Sequence, residues 1–359
     1  MVGYFILWLI IIIENLILRS QKLKNLIIAF TILTFLSIRF GVGYDFFEYY
    51  NLAKQYELSS LPLNVNLADY VGEGYLYFKM EFLNRVLYKI SWYLKTPQMI
   101  IILYALIQIF FLFVGFNIKK MNSFYSWLYF MALPFFMLGF MSTMRQGVAV
   151  SMLFYNYINI KNRKFLRFII IVVIASMFHI TAISFVPAYF IANNRHGIKK
   201  ILILGIGGLC SLILFSYLNK IFDLFYSIYS KNIMISGGKL TTIVVLFSLF
   251  TILKLHKYLV QNDNEDNEKI IKIVIVGAII IFGIYIIGDI ATRIGIYYYV
   301  YILFLIDDLF DTFNKNTILR ITYIIICLLM IEYSSLSGDR GRYQTIFNSQ
   351  EICEDGSKS

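Results

Sequence analysis

Five arginines stand at the ends of apolar runs in this sequence: Arg39, Arg145, Arg293, Arg340 and Arg342. A guanidinium group binds phosphate oxygens bidentately and stays charged when it is partly buried. Ionisable residues at membrane depth are costly and often mark a substrate site. Several arginines around one pocket would therefore suit a pyrophosphate. The alternative for any one of them is an ordinary contact with lipid phosphates.

Groups that could take a proton lie near the same positions. Asp45 and Glu73 fall in one long polar segment, and His179 lies at a break between two apolar runs. A carboxylate or an imidazole can act as a general base toward a hydroxyl. We rank Asp45 first, His179 second and Glu73 third for this role. The alternative for His179 is a packing role inside the fold.

Polar and aromatic neighbours complete the candidate set. Gln146 follows Arg145 directly, and Asp289 precedes Arg293 by four residues, which also permits a simple helical ion pair. The sequence further offers aromatic side chains that could stack on sugar rings or form an interfacial belt. The candidates of this kind are Tyr44, Tyr49 and Tyr343.

The composition is that of a membrane protein. Of 359 residues, 59% are hydrophobic and 15% are charged, whereas soluble domains carry roughly 25% charged residues. Apolar runs of about 15 to 20 residues recur along the chain, and each is about long enough to cross a ~30 Å hydrocarbon core as a helix. We therefore predict an all-α, polytopic transmembrane helical bundle with about 12 membrane segments, in a range of roughly 10–13.

The predicted spans follow the apolar runs. They are 2–18, 23–40, 97–116, 123–140, 142–160, 164–178, 180–192, 199–217, 241–256, 269–288, 294–308 and 318–336. The segment 74–95 has helical periodicity but carries several charges, so we place it as an amphipathic helix on the membrane surface. The pair 164–178 and 180–192 is short for two crossings, and the alternative to two spans is a broken or re-entrant hairpin.

The basic residues orient this topology. An outer N-terminus puts more than half of the 32 lysines and arginines into six short inner segments, as the positive-inside rule requires. The same rule explains the net charge of +11 without nucleic acid. The prediction is one membrane domain, 1–340, with outer loops 41–96 and 218–240 and an extracytoplasmic tail, 341–359. The arginines then gather at the outer face.

Two acidic stretches are expected to be solvated on the inner side. The first is the polar loop 261–269, and the second is the helix end that carries Asp307 and Asp308. No Walker motif or His-Glu-x-x-His motif occurs in the sequence, so ATP-driven transport and zinc hydrolysis lack support. The three cysteines show neither disulfide nor metal spacing.

Four short motifs, in this order, carry a resemblance to a known family. They are Arg39-Phe-Gly-Val-Gly-Tyr-Asp45 followed by Tyr49-Tyr50, then Met144-Arg-Gln-Gly-Val-Ala149, then Phe178-His-Ile-Thr-Ala182, and finally the Arg293 helix with Arg342-Tyr-Gln-Thr-Ile-Phe347. Through them the chain resembles the EpsG/Wzy-type polysaccharide polymerases of bacterial exopolysaccharide, capsule and O-antigen assembly. Arg342 stands where the family pattern has a proline.

The resemblance implies a glycosyltransferase of the bacterial cytoplasmic membrane with its active site on the extracytoplasmic face. Its substrates would be undecaprenyl-pyrophosphate-linked oligosaccharides, and undecaprenyl pyrophosphate would leave. We assign Arg145 and Arg293 to the pyrophosphate, supported by Arg39 and Arg342, and expect no metal and no cofactor. The expected partners are the lipid bilayer and, from the same pathway, a chain-length regulator and a flippase, but no nucleic acid.

Three alternatives belong to other functional classes. A glycan ligase would use the same lipid-linked donor and differ only in its acceptor. A transporter or flippase for lipid-linked glycans should hold its charged residues near the bilayer midplane, often at discontinuous helices. A membrane O-acyltransferase would need a histidine on the cytoplasmic side. The predicted topology places His179 on the other side, and it places His196 and His256 in cytoplasmic loops without a supporting motif.

Overall fold

A computed structural model describes most of the chain. The described residues are 2–60, 63, 80–119, 123–133, 136–194, 238–262, 264–282, 289–312, 317–336 and 343–347. Within these ranges every regular element is a helix, apart from one isolated β-bridge between Arg39 and Thr345. The predicted span 199–217 and most of the predicted outer loop 218–240 lie outside the described residues.

The α-helices of the described residues follow in chain order. They are α1 (Val2–Ile17), α2 (Gln21–Ile38), α3 (Phe46–Lys54), α4 (Phe82–Tyr93), α5 (Gln98–Ile118), α6 (Phe124–Ala132), α7 (Met137–Ser142), α8 (Met144–Tyr155), α9 (Tyr157–Lys161), α10 (Phe165–Ser176), α11 (Pro187–Asn193), α12 (Gly238–Asn262), α13 (Asn264–Phe282), α14 (Asp289–Tyr299), α15 (Leu303–Thr312) and α16 (Thr317–Leu336). Short 3₁₀ turns occur at Tyr56–Ser60, Ile180–Phe185 and Val300–Ile302.

The helices carry the apolar surface that a bilayer requires. Among the described residues, α2 and α5 are long and apolar enough to cross a membrane, and five shorter apolar helices accompany them. Large apolar side chains point outward from several helices, and such a surface is normally covered by lipid or protein. Examples are Phe30, Phe110, Leu166, Phe247 and Ile318. These features fit a helical membrane protein.

Several predicted spans are broken into shorter helices. The single helix predicted over 123–140 is wrong, because the structure divides it into α6 and α7. Leu133, at the end of α6, is extended with ψ 123° and stands directly before Pro134. A residue before proline is pushed out of the helical region by the proline ring. The predicted span 142–160 likewise divides into α8 and α9 at Asn156.

Helix ends that the predicted topology places on one side do contact one another. On the predicted inner side, Asn25 near the start of α2 donates to Asn117 Oδ1 near the end of α5, at 3.2 Å. Ser123 Oγ and Trp127 Nε1 both donate to Asn25 Oδ1, each at 2.7 Å. Neighbouring helices therefore run antiparallel here, and a buried amide joins three of them.

The predicted solvated loop 261–269 is wrong. Helices α12 and α13 are separated by one residue, and Asp266 and Asn267 are buried where this turn meets other helix ends. Asp266 pairs with Lys161, and Glu265 contacts Arg163 at 2.6 Å. Each of these two acidic residues therefore contacts a cation near a neighbouring helix end.

The acidic helix end in α15 is not a solvated end either. The carboxylate of Asp307 is buried and accepts from the backbone N–H groups of Tyr125 and Ser126, both at 3.1 Å. These N–H groups lie in the first turn of α6 and would otherwise lack acceptors. Asp308 pairs with Lys119 at 2.8 Å. Both aspartates therefore fasten α15 to neighbouring elements.

A tight turn between α2 and α3 depends on Gly43. Its φ is +102°, a conformation that other residues rarely adopt, and a Cβ added there would lie 2.6 Å from the carbonyl oxygen of Met141. The N–H of Tyr44 then donates to Ser142 Oγ at 3.2 Å. The close approach brings the start of α3 against the junction of α7 and α8. Arg145 lies in the first turn of α8.

Candidate functional site

Helix α4 and the residue that precedes it contribute side chains to the candidate site. It has 12 residues and begins directly after Glu81, whereas the sequence predicts a helix over 74–95, of which 74–79 lie outside the described residues. Twelve helical residues extend about 18 Å, which is too short to cross a bilayer. The helix is tied to α3, because Tyr88 Oη donates to the Tyr49 carbonyl and Trp92 Nε1 to the Leu52 carbonyl, each at 3.3 Å.

Glu81 is the centre of a polar cluster that joins three segments of the chain. Its Oε2 accepts from Arg145 Nη1 at 2.9 Å and from Asn84 Nδ2 at 3.0 Å. Its Oε1 accepts from the backbone N–H of Ile180 at 3.2 Å and lies 3.5 Å from His179 Nδ1. One carboxylate therefore holds both an arginine and a histidine that the sequence singles out as candidates.

Arg145 lies in the first turn of α8, and its guanidinium is fixed from one side. Nη1 contacts Glu81, and Nε donates to the hydroxyl of Tyr49 at 3.1 Å. The side chain is 30% exposed. The guanidinium is thus oriented by two protein contacts while part of the side chain stays exposed.

The charges keep Glu81 ionised. Burial by itself raises the pKa of this carboxyl, but the contact with His179 and the charge of Arg145 outweigh burial and lower the pKa to about 2. Burial also raises the pKa of Tyr49, so its hydroxyl stays neutral and can accept from Arg145. At neutral pH the cluster therefore contains a carboxylate and a guanidinium in direct contact.

His179 lies at the predicted break, between α10 and the 3₁₀ turn that begins at Ile180. The break is fastened to α4, because Asn84 Nδ2 donates to the Phe178 carbonyl at 2.8 Å and Leu83 N to the Met177 carbonyl at 3.1 Å. The imidazole side chain is 14% exposed. Both ring nitrogens are buried, and neither has a hydrogen-bond partner among the residues that the structure describes.

The Arg293 helix reaches the same site through its backbone. Gln146 Nε2 donates to the Arg293 carbonyl at 2.7 Å, and Thr181 Oγ1 contacts Tyr297 Oη at 2.9 Å. The side chain of Arg293 is exposed at the surface. Helix α14 begins at Asp289, whose side chain lies outside the described residues.

Arg39 is placed differently from Arg145. It is 1% exposed, and its guanidinium donates to the carbonyls of Leu36 at 2.7 Å and Met141 at 3.2 Å. Nη2 also lies 3.0 Å from the sulfur of Met144. We therefore reassign Arg39 from pyrophosphate binding to packing, because its guanidinium is buried against the backbone.

Tyr343 joins Arg39 and not the Glu81 cluster. Its ring stacks on Phe35 with 3.8 Å between ring centroids, and its hydroxyl donates to the Phe35 carbonyl at 2.6 Å. Backbone hydrogen bonds then tie residues 343–347 to the end of α2, including Phe40 N to Gln344 O at 2.9 Å. This part of the predicted C-terminal tail is docked, and Tyr343 serves as its anchor instead of a sugar platform.

The remaining candidates divide into two groups. Asp45 directly precedes α3, and its charge contributes to the raised pKa of Tyr49. Tyr44 is 53% exposed beside it. Glu73, Arg340 and Arg342 lie outside the described residues. Of the sequence candidates, the structure thus joins Arg145, His179, Tyr49, Gln146 and the backbone of Arg293 into one region.

Glu81 and Asn84 are functional candidates that sequence reasoning missed. Both belong to the segment interpreted only as an amphipathic surface helix. One signal was available, because Glu81 is the acidic residue directly before the helix, between Lys79 and Arg85. Its contact with Arg145 joins positions 64 residues apart in sequence, which no local pattern encodes.

The lowered pKa of Glu81 predicts a specific pH dependence of stability. A carboxyl whose folded-state pKa is depressed contributes stability above its unfolded pKa, and that contribution is lost as pH falls through the folded pKa. For Glu81 the window runs from roughly pH 4.5, its ordinary value, down to about 2. We expect the unfolding midpoint of the detergent-solubilised protein to fall less steeply below pH 4.5 in Glu81→Gln than in the wild type. Parallel curves for the two proteins would contradict the ion pair.

Comparison with known proteins places the chain in a family. The EpsG family model matches residues 22–348, a range that contains every candidate residue and nearly the whole chain. Comparisons with curated proteins and with solved structures find no match. The resemblance seen in the four motifs is thereby confirmed. The chain belongs to the EpsG family, a family of Wzy-type polymerases with a polysaccharide polymerase-type role.

Proposed function

We propose that this protein joins undecaprenyl-pyrophosphate-linked repeat units into polysaccharide at the outer face of the bacterial cytoplasmic membrane. The donor is the growing glycan on its lipid carrier, and the acceptor is one lipid-linked repeat unit. Family membership supports the polymerase-type role and the membrane setting. The lipid carrier follows from the family resemblance, the side of the membrane from the distribution of basic residues, and the residue roles from the site.

The observation that carries this proposal is the geometry of Arg145. Glu81 and Tyr49 fix its guanidinium, while 30% of the side chain stays exposed. A preorganised cation lowers the barrier when negative charge develops in front of it, because it need not reorient during the reaction. A departing pyrophosphate develops such charge. Arg293 is the second arginine of this region, since its backbone is held by Gln146.

The reaction needs little beyond charge stabilisation and proton removal. The acceptor hydroxyl oxygen forms a bond to the anomeric carbon of the donor sugar. The bond from that carbon to the pyrophosphate oxygen breaks, and its electron pair leaves with undecaprenyl pyrophosphate. The hydroxyl proton passes to a general base, for which the sequence offers Asp45, His179 and Glu73. The arginines supply the positive charge in this scheme.

Release of the carrier lipid tests the proposal. Each glycosidic bond formed by the purified protein should release one molecule of undecaprenyl pyrophosphate. We would measure both by mass spectrometry of the lipid extract during a reaction with one lipid-linked repeat unit. Carrier release with products longer by whole repeat units supports a polymerase. Transfer to a different acceptor alone would favour a ligase, and the absence of any carrier release would favour a transporter.

The side of the membrane can be tested with two exposed positions. In a background with the three native cysteines replaced, we expect Tyr44→Cys to react with a membrane-impermeant maleimide in spheroplasts. Arg163→Cys, at a residue whose side chain is 64% exposed, should react only after permeabilisation. The reverse labelling pattern would place the Glu81 cluster on the cytoplasmic side and exclude an outer-face polymerase.

A further inference from the structure

The contact between Glu81 and His179 carries a more specific assignment. We propose that His179 accepts the proton of the acceptor hydroxyl and that Glu81 is the positioning residue that orients its imidazole. This inference rests on the proposed glycosyl transfer and deepens it by assigning the base. It moves His179 ahead of Asp45, the first choice from sequence, and it gives a role to Glu81.

The carboxylate of Glu81 is fixed before it meets the imidazole. Arg145, Asn84 and the N–H of Ile180 all donate to it, at 2.9, 3.0 and 3.2 Å. Its Oε1 lies 3.5 Å from His179 Nδ1, a contact longer than a good hydrogen bond. Catalytic hydrogen bonds are often long in free enzymes and tighten when substrate binds.

This contact determines which nitrogen can act as the base. A carboxylate accepts a hydrogen bond and cannot donate one when ionised. The neutral imidazole that faces Glu81 through Nδ1–H therefore has its lone pair on Nε2. The histidine thus presents an acceptor nitrogen away from the carboxylate, as a base that removes a hydroxyl proton requires.

The lack of a partner for Nε2 among the described residues favours a functional role for His179 over a packing role. Buried polar atoms in folded proteins are almost always hydrogen-bonded. Nε2 is buried, and it has no hydrogen-bond partner among the described residues. An acceptor hydroxyl that entered the site would supply the missing donor. A histidine retained only for packing would be expected to have its nitrogens satisfied within the fold.

Glu81 itself is a poor candidate for the base. Its pKa of about 2 means that it holds a proton too weakly for efficient base catalysis near neutral pH, where a matched pKa works best. Its ion pair with Arg145 already uses one oxygen. The same carboxylate therefore links the two halves of the reaction, because it orients the arginine that meets the leaving group and the histidine that takes the proton.

The proposed step leaves a cationic imidazole beside an anionic carboxylate. The proton moves from the acceptor hydroxyl to Nε2 as the oxygen bonds to the anomeric carbon, and it passes to water after the carrier lipid leaves. Several charged or titratable side chains of the described residues lie around this step. They are Glu81, Arg145, Tyr49, Tyr104, whose hydroxyl donates to Asn84, and Tyr297, whose hydroxyl contacts Thr181 two residues after the histidine.

Chemical rescue tests the histidine. Elongation by His179→Ala should fall by about 10²–10⁴-fold, the range typical for loss of a general base. Added imidazole should restore part of the rate, which a purely structural histidine would not allow. His179→Gln keeps polar bulk without a basic nitrogen, should be equally slow and should not respond to imidazole. If the alanine variant does not fold, the rate of His179→Gln tests the role of the histidine by itself.

The separate effects on kcat and KM test Glu81. We expect kcat of Glu81→Gln to fall by about 10–100-fold, the range seen for carboxylates that orient metal-binding histidines. KM for the lipid-linked repeat unit should change much less, because Glu81 acts through the groups that it orients. Glu81→Asp keeps the carboxylate and should recover part of kcat. Glu268→Gln, which removes a carboxylate paired with Lys272 on the predicted inner side, is the control and should match the wild type.

The outcomes separate this inference from the proposed function. If the wild type elongates polymer and both His179 variants do so at the same rate, the inference is overturned and the polymerase stands. Slow His179 variants with no imidazole rescue, together with an unchanged kcat in Glu81→Gln, would also overturn it. If the wild type forms no glycosidic bond at all, the proposed function fails and the inference fails with it.

Discussion

Replacing Arg145 with alanine should slow polymer elongation by about 10²–10³-fold, the usual cost of removing one preorganised donor from a developing anion. The guanidinium is held by Glu81 and Tyr49 while 30% of the side chain is exposed, so its loss removes charge stabilisation at the proposed leaving group. The rate is measured as glycosidic bonds formed per minute by purified protein with a saturating lipid-linked repeat unit.

Two further variants make the Arg145 result specific. Arg145→Lys keeps the positive charge, but an ammonium cannot reproduce the fork that contacts Glu81 and Tyr49 together. We expect it to recover only a small part of the rate. Arg163→Ala removes an exposed arginine on the predicted inner side and should elongate normally. A near wild-type rate in Arg145→Ala would remove this residue from the pyrophosphate site.

Replacing Arg39 with alanine should instead destabilise the protein, by about 2–5 kcal/mol, the range for truncating a large buried side chain and leaving buried acceptors without their donor. The truncation leaves the carbonyls of Leu36 and Met141 without their donor and opens a cavity beside Tyr343. The measurement is the unfolding midpoint in detergent, together with the yield of monodisperse protein. The rate per folded molecule should remain close to that of the wild type.

The arginine pair therefore gives opposite results in two assays. Arg145→Ala should be folded and slow, whereas Arg39→Ala should be unstable and, where folded, active. Arg39→Met is a useful companion, because a long apolar side chain fills the cavity without the hydrogen bonds. A stable but inactive Arg39→Ala would return this residue to the substrate site.

The contrast also shows where sequence reasoning ends. Both arginines stand at helix ends in similar glycine-containing motifs, and both were expected to meet the pyrophosphate. The two arginines differ in their tertiary contacts. The φ of +102° at Gly43 brings the α2–α3 turn close to Met141, and the carbonyl of Met141 accepts a hydrogen bond from the buried Arg39. No local sequence pattern determines whether the side chain of an arginine at a helix end is buried or exposed.

The sequence predictions that the structure confirms depend on local properties of the chain. The break at His179, the α-helical class and the helical character of most apolar runs follow from hydropathy and local patterns. The failures concern partners that are distant in sequence. The sequence predicts a solvated Asp307, because the helix end that this residue caps, at Tyr125 and Ser126, lies about 180 residues earlier. Glu81 was missed for the same reason.

The glycosyl transfer itself is tested most directly by the products of the purified protein. Wild-type protein in detergent would receive a short undecaprenyl-pyrophosphate-linked repeat unit matched to the source organism's glycan locus, with Arg145→Ala run in parallel. We predict a ladder of lipid-linked products on a gel, spaced by one repeat unit, which disappears in the variant. No ladder from wild-type protein, with substrate bound equally by both proteins, would contradict the polymerase and the role of Arg145 together.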